Sequence, residues 1–376
     1  MLDGRRIVRD VAAAVGLSEG EAGVRAVVAA LARLEPVSIR RLSRAAELPV
    51  PIVASICGEL RKRSVVAEAR PAQLTSRGRE LFSNGRLRFQ RAAACPTCRG
   101  RGIALDGEPA SLIAAIDRLA KRAPAVRVDL DQCHCTVETK LRRVLAIHEA
   151  DALVGRRILL LGDDDLTSLA IDRVVRRFGS GATIAHLGVL DIDAEIVDFI
   201  RSELGRAPFP VSTLQHDLRE PLPPSLLRSF DTVVTDPPYT IAAARLFLSR
   251  AADALAGQGG DVFFSFGSKR PEAQFRVQQA IGQMGFVIRR LVRDFNEYVG
   301  AGVLGGTSHL YHLRATRELQ PSVTGAFDGP LYTADGRGLP SENASGQRSC
   351  SASRPTASAT MSRRSTSAAS DCSSST

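Results

Sequence analysis

RRILLLGDDDLTSLAIDRVVRRFG (residues 156–179), ATIAHLGVLDIDAEIVDFIRSELG (182–205) and FDTVVTDPPY (230–239) are the stretches that decide the fold. Each opens on an apolar run of buried-strand length, and the first two pass directly into amphipathic helical patterns. Outward from them, PVSTLQHDL (210–218), AARLFLSRAADAL (243–255), DVFFSFGS (261–268), AQFRVQQAIGQMG (273–285) and FVIRRLVRDF (286–295) continue the alternation. Strand and helix in turn predict an α/β fold, a Rossmann-like doubly wound sheet over residues 146–320. Ligands of such sheets lie beyond the carboxyl ends of the strands, so the residues ending each run are the functional candidates.

Upstream, VRAVVAALARL, SIRRLSRAAEL and PVPIVASICGELRKRSVV read as three short-looped helices, with Ser38 and Pro49 at helix starts. With two wing strands over Val65–Thr75, residues 1–88 are expected to form a winged helix-turn-helix domain. Arg61, Lys62, Arg63 and Arg77 are available to phosphate, but a docking or homodimerising role is preferred to nucleic-acid binding. Residues 89–145 form a Cys-rich linker, in which Cys95-Pro-Thr-Cys98, with Gly100 and Gly102, and Cys133-His-Cys135 have the spacing of a four-thiolate zinc or iron site. Free thiols are the alternative reading, His134 could substitute as a ligand, and Cys57 lies on an apolar helical face and is read as core. Residues 321–376 are expected to be a disordered low-complexity tail, small and polar without an apolar period, and Cys350 and Cys372 belong to it. The excess of 50 Lys+Arg over 40 Asp+Glu gives a net charge of +10, which does not choose among nucleic acid, an anionic ligand and an Arg-rich proteome. The chain has no stretch of the roughly 18 to 20 apolar residues a membrane helix needs and no signal-peptide core, so a cytoplasmic protein is expected.

The first strand ends in Gly162-Asp163-Asp164-Asp165, where a glycine-rich turn usually cradles an anion. One glycine and three carboxylates repel a phosphate: like charges about 4 Å apart cost about 4 kcal/mol at an effective dielectric of 20. The turn suits a cation, and three aspartates exceed what a helix cap requires. The second strand ends in Asp191-Ile-Asp193, acidic residues placed for ribose hydroxyls, and the third in His216-Asp217, within reach of an adenine amino group. Together they fit an adenosyl group. The fourth ends in Asp236-Pro237-Pro238-Tyr239, whose prolines hold the backbone extended while Asp236 accepts from an amine and Tyr239 covers it.

With GDDDLTSLA, VLDID, DPPY and FNEYVGAGVLGGTSHLY, the chain resembles the branched-chain polyamine synthase family from the N-terminal domain through about Leu313. The resemblance implies a methyltransferase-type sheet and transfer of aminopropyl groups from decarboxylated S-adenosylmethionine to the central secondary nitrogen of spermidine. Asp164 or Asp165 is the expected base, with Asp163 in the same cluster, Asp236 and Tyr239 orienting the nitrogen, and Asn296, Tyr298 and the Gly305-Gly306-Thr307-Ser308 turn closing the channel. Two other readings remain. One is an amino methyltransferase acting on nucleic acid, which shares the DPPY-type turn but not three aspartates. The other is a non-catalytic winged-helix regulator that senses polyamines.

Overall fold

The computed structural model describes residues 2–17, 19–82, 95, 97, 98, 100–179, 183–300, 306–333 and 335. Five helices come first: α1 (Leu2–Val15), α2 (Gly20–Leu34), α3 (Ile39–Ala46), α4 (Val50–Lys62) and α5 (Ser76–Phe82). The Ser38 side chain caps α3 by accepting from the Arg41 amide, Glu47 turns the chain in the left-handed region (φ 57°), and α4 follows Pro49. One antiparallel bridge, Val66↔Leu74, lies within the segment expected to form the wing, and a second, Val37↔Ala72, ties that segment to the chain just before α3. Val27, Leu31, Leu42, Val53, Ile56 and Cys57 fill the core between these helices. Burial pushes the Cys57 thiol up to about 11, as suits a core residue.

Next come α6 (Ile113–Ala120) and α7 (Val137–Glu149), then β1 (Arg157–Leu161), α8 (Thr167–Phe178), β2 (His186–Asp191), α9 (Ala194–Leu204), β3 (Val211–Gln215) and β4 (Thr232–Thr235). The chain continues through α10 (Ile241–Ala254), β5 (Asp261–Phe266), α11 (Pro271–Gln283), β6 (Phe286–Glu297) and β7 (Thr307–Ala315). The seven strands lie in the order β3-β2-β1-β4-β5-β7-β6, parallel except for β7, which runs antiparallel to both β5 and β6. This is the Rossmann-like sheet expected from the alternation. The order reverses between β1 and β4, so the GDDD and DPPY turns open side by side at the switch point, where such sheets bind ligands.

Two boundaries differ from the sequence reading. Leu112, Ile116, Leu119, Leu141, Val144 and Ile147 are buried in one cluster with Leu169, Val189 and Phe263, so much of the 89–145 segment is a layer of the catalytic domain rather than a linker. Described residues past 320 are packed against the domain, contrary to the tail expected from residue 321. Arg250, fully buried, donates from Nη1 to the carbonyl of Val323 and from Nη2 to that of Gly325, and Leu331 and Tyr332 are buried. A short polar sequence is held here by backbone carbonyls meeting one guanidinium, which composition does not register. Residues 336–376, with Cys350 and Cys372, lie outside the described residues.

Candidate active site

The three consecutive aspartates have three different situations. Asp163 is 1% exposed, and its two oxygens accept from the amides of Thr167 (2.7 Å) and Ser168 (3.1 Å), capping α8. Burial pushes its carboxyl up to about 7 against those bonds. The turn that brings them together needs Gly162 at φ 73° and puts Leu166 at φ 55°, a left-handed conformation costly for a branched apolar residue. Asp165, also buried, accepts from the Cys135 amide at 2.5 Å and from Arg143 Nη1 at 2.6 Å. The Arg143 guanidinium and the Lys140 ammonium hold it down to about 2 despite burial. Asp164 is the one of the three that keeps some exposure, and its carboxylate accepts no hydrogen bond from a described residue. Its backbone carbonyl meets His134 Nδ1 at 2.7 Å. Burial and the charges of Asp165, Asp191 and Asp236 push its carboxyl well above the usual carboxylate range. Of the two candidates for a base, Asp165 is tied up in ion pairing and Asp164 is available.

Arg143 is the residue that sequence reasoning missed. From the buried face of α7 it reaches Asp165, Asp236 Oδ2 (Nη2, 2.6 Å), Asn296 Oδ1 (Nε, 2.8 Å) and the Tyr298 hydroxyl (3.3 Å). Lys140, one turn earlier, donates to the Asp165 carbonyl at 2.6 Å. The available signal was KLRRVLAI: Lys140 and Arg143 recur at helical spacing with Leu141, Val144 and Ile147, which puts two charges on the face that ought to be apolar.

Asp236 stands opposite Asp164 at the end of β4. Its Oδ2 accepts from the Tyr298 hydroxyl at 2.6 Å as well as from Arg143, and the Tyr239 hydroxyl lies 3.1 Å from Oδ1 and 2.6 Å from that of Tyr298. Burial raises its carboxyl to about 6, against the opposing pull of Arg143. Asn296 Nδ2 donates to the hydroxyls of Ser265 and Ser308, and the Tyr298 hydroxyl lies 2.9 Å from Ser308 Oγ. Asn296, Tyr298 and Ser308 thus join one network with the DPPY turn; Gly305 lies outside the described residues. Pro237 and Pro238 lead into Thr240, whose amide donates to the Pro238 carbonyl and whose side chain caps α10. Gly267 was also missed. A Cβ there would come within 2.5 Å of the Tyr239 ring, so the glycine lets that ring lie against the end of β5.

On the other side of the cleft, Asp191 accepts from the amides of Asp163 (2.8 Å) and Asp193 (2.9 Å), and the Gly162 amide donates to the Leu190 carbonyl. Asp193 caps α9 through the Glu195 amide and accepts from Gln132 Nε2. Asp217 Oδ1 accepts from the Arg219 amide. Above it the Arg219 guanidinium lies 5.3 Å from the ring centroid of Tyr332. Burial pushes the hydroxyl of that tyrosine up, against the pull of Arg219.

The four cysteines do not form the expected centre. Among the described residues no three Cys, His, Asp or Glu side chains converge as a metal site. Cys95 and Cys98 face each other, and Cys98 is held down by the amides of Gly102 and Gly100. Cys133 donates to the Val299 carbonyl. Cys135 is sealed beneath Asp165, 3.7 Å from Lys140 Nζ, and burial raises its thiol far from the thiolate that a metal ligand must be. A CxC pair with one member in the catalytic core does not fit a four-thiolate zinc or iron site.

Residues 111–323 match the family model for the C-terminal domain of branched-chain polyamine synthase A. The chain is 32% identical to N(4)-bis(aminopropyl)spermidine synthase of Thermococcus kodakarensis over 71% of its own length and 75% of that protein. It is 34% identical to a protein of Methanocaldococcus jannaschii of no assigned function, over 82% of this chain and 77% of that one. Among solved structures, a mutein of the branched-chain polyamine synthase from Thermus thermophilus, in complex with N4-aminopropylspermidine and 5′-methylthioadenosine, superposes with a TM-score of 0.70 at 25% identity, covering 89% of this chain and 98% of that one.

Proposed function

The chain belongs to the branched-chain polyamine synthase family, and from that premise we propose that it transfers aminopropyl groups from decarboxylated S-adenosylmethionine to the secondary nitrogen of spermidine. Family relatives carry that activity in their names, and the product and by-product bound to the Thermus thermophilus protein match it. The observation in this chain that carries the reading is Asp164, a carboxylate among Asp165, Asp191 and Asp236 that accepts no hydrogen bond from a described residue. Decarboxylated donor bears an ammonium where the methyl donor bears an additional carboxylate. The cluster therefore attracts the first and repels the second, a selection by charge.

In the transfer, the neutral amine lone pair attacks the propyl carbon beside the sulfonium. The N–C bond forms as the C–S bond breaks, and the sulfur keeps that bond's electron pair in methylthioadenosine. The proton of the attacking secondary amine passes to Asp164, whose affinity for it is raised by burial and by the neighbouring charges of Asp165, Asp191 and Asp236. A second addition, to the resulting tertiary amine, gives a quaternary ammonium and releases no proton from that nitrogen. Asp236, held by Arg143 and the two tyrosines, orients the nitrogen, and alignment supplies much of the rate. Asp191 and Asp217 are proposed to hold the adenosyl group, with Asp193 supporting the Asp191 turn. Residues 1–88 are proposed as a winged helix that docks against the enzyme or pairs it in a homodimer. Ion pairs of this region with the catalytic domain, Arg44–Glu297 and Glu47–Arg293, support docking over nucleic-acid binding.

Mass spectrometry of protein incubated with spermidine and either donor tests the reaction. Gain of an aminopropyl unit from decarboxylated donor only, lost in Asp164→Asn, is the expected result. No gain, or methylation from the ordinary donor, overturns it.

A further inference from the structure

We infer that Glu297 is a positioning residue through which the N-terminal helices and the Cys-rich segment brace the substrate-orienting face of the active site. Along an extended strand successive side chains point to opposite sides. Asn296 and Tyr298, at the end of β6, point to Arg143 and Asp236. Glu297 between them points away, and there two arginines from different parts of the chain converge on one of its oxygens. Arg44 Nη1, on α3, lies 3.3 Å from Oε1, and Arg101 Nη2, three residues past Cys98, lies 2.8 Å from the same atom.

The backbone of this residue is held as well. Its amide donates to Thr139 Oγ1 at 2.9 Å, and its carbonyl accepts from the Thr136 amide at 2.7 Å. Arg101, 5% exposed, also donates from Nε to the Asp294 carbonyl at 2.9 Å, and the Val299 amide donates to the His134 carbonyl. Residues 294–299 are thus held at three positions, Asp294, Glu297 and Val299. The side chains on the inner face, Asn296 and Tyr298, are joined to this brace through the backbone of the strand. A second ion pair, Glu47–Arg293, ties the turn after α3 to the same strand. The cysteine segment, which does not assemble a metal centre, has in Arg101 a structural function that its spacing did not suggest.

The inference rests on the proposed reaction for its kinetic test but not for its structural one. Hydrogen exchange of peptides covering 294–300 is compared between wild type and Arg44→Ala; faster exchange there, with the sheet strands β1 and β4 unchanged, is expected. That readout does not use turnover, so it stands if the enzyme proves to catalyse something else. With turnover in hand, Arg44→Ala should lower kcat by about ten- to a hundredfold, since displacement of a substrate-orienting group by about 1 Å costs on that order. Arg44→Lys should recover most of it. In a Tyr298→Phe background the same Arg44→Ala change should cost no more than about threefold, because residues acting through one another are not additive. Unchanged exchange at 294–300 would overturn the inference, and so would an Arg44→Ala effect of equal size in both backgrounds.

Discussion

The N-terminal helices and the carboxyl rim of the sheet place their charges in opposite ways. Among the described residues of 2–82, Ser43 is the only buried polar side chain, and ion pairs such as Glu21–Arg25 are at the surface. At the rim, Asp163, Asp165, Asp191, Asp193, Lys140 and Arg143 are all buried. The first region is stabilised by separating apolar from polar groups. The second keeps charges inside by pairing and hydrogen-bonding them, and gives up stability for a site that can bind cations and move a proton.

The sharpest break of that comparison is Arg143→Met. Removing the guanidinium leaves Asp165 and Asp236 buried without their cation, which should cost about 3–5 kcal/mol in unfolding free energy and abolish transfer. A urea titration with a midpoint near that of wild type would show that the interior charges do not depend on the pairing. Next in size is Asp164→Asn, for which kcat should fall about 10²- to 10⁴-fold, the range of general-base catalysis. Its stability should hold or rise, because the lost charge is repelled by Asp165, Asp191 and Asp236. Activity and denaturation measured on one preparation separate the two effects; a loss of stability as large as that of Arg143→Met would place Asp164 in the framework instead of the chemistry.

What could be read in advance follows the same division. Strand ends were legible because a doubly wound sheet sends each one to the same edge, so GDDD, DID and DPPY came together as expected at β1, β2 and β4. Roles within GDDD were not, since three identical residues in a row differ only in what their side chains meet, and that depends on α7, Cys135 and the start of α8. Arg143 escaped because an arginine on an amphipathic helix is ordinarily a surface residue, and its burial is visible only as a break in the helical pattern. Gly267 had no local signal at all: its need for a missing Cβ comes from Tyr239, which is distant in sequence. The cysteine spacing pointed to a cation that the fold does not gather, because Cys135 belongs to the core beneath Asp165.

Smaller effects sharpen the contrast from each side. Gly267→Ala should push the Tyr239 ring out of place and lower kcat by about tenfold, with a smaller change in KM, as expected when orientation is disturbed and binding is not. Steady-state kinetics that show KM alone rising would make Tyr239 a binding residue only. Asp163 gives a pH signature. Its folded carboxyl is raised to about 7, so the stability it contributes by holding a proton is full below the unfolded value of about 4 and is lost as pH rises through about 7. Asp165, held down to about 2, does the reverse and matters only in acid. Between pH 5 and 8 wild type should therefore lose more unfolding free energy than Asp163→Asn. Parallel urea titrations at the two pH values check this, and equal slopes would mean that the two capping amides outweigh burial.

The smallest effect belongs to the N-terminal helices. Glu21 and Arg25 pair one turn apart on α2, with side chains 38% and 55% exposed, and such helical pairs contribute about 0.3–0.5 kcal/mol. Arg25→Ala should cost no more than that, less still in 0.5 M salt, and should leave transfer unchanged. If the loss instead approached that of Arg143→Met, the α2 charges would be bearing on something beyond their own helix. The contrast between a region ordered by sorting and a region ordered by pairing would then fail at its simpler end.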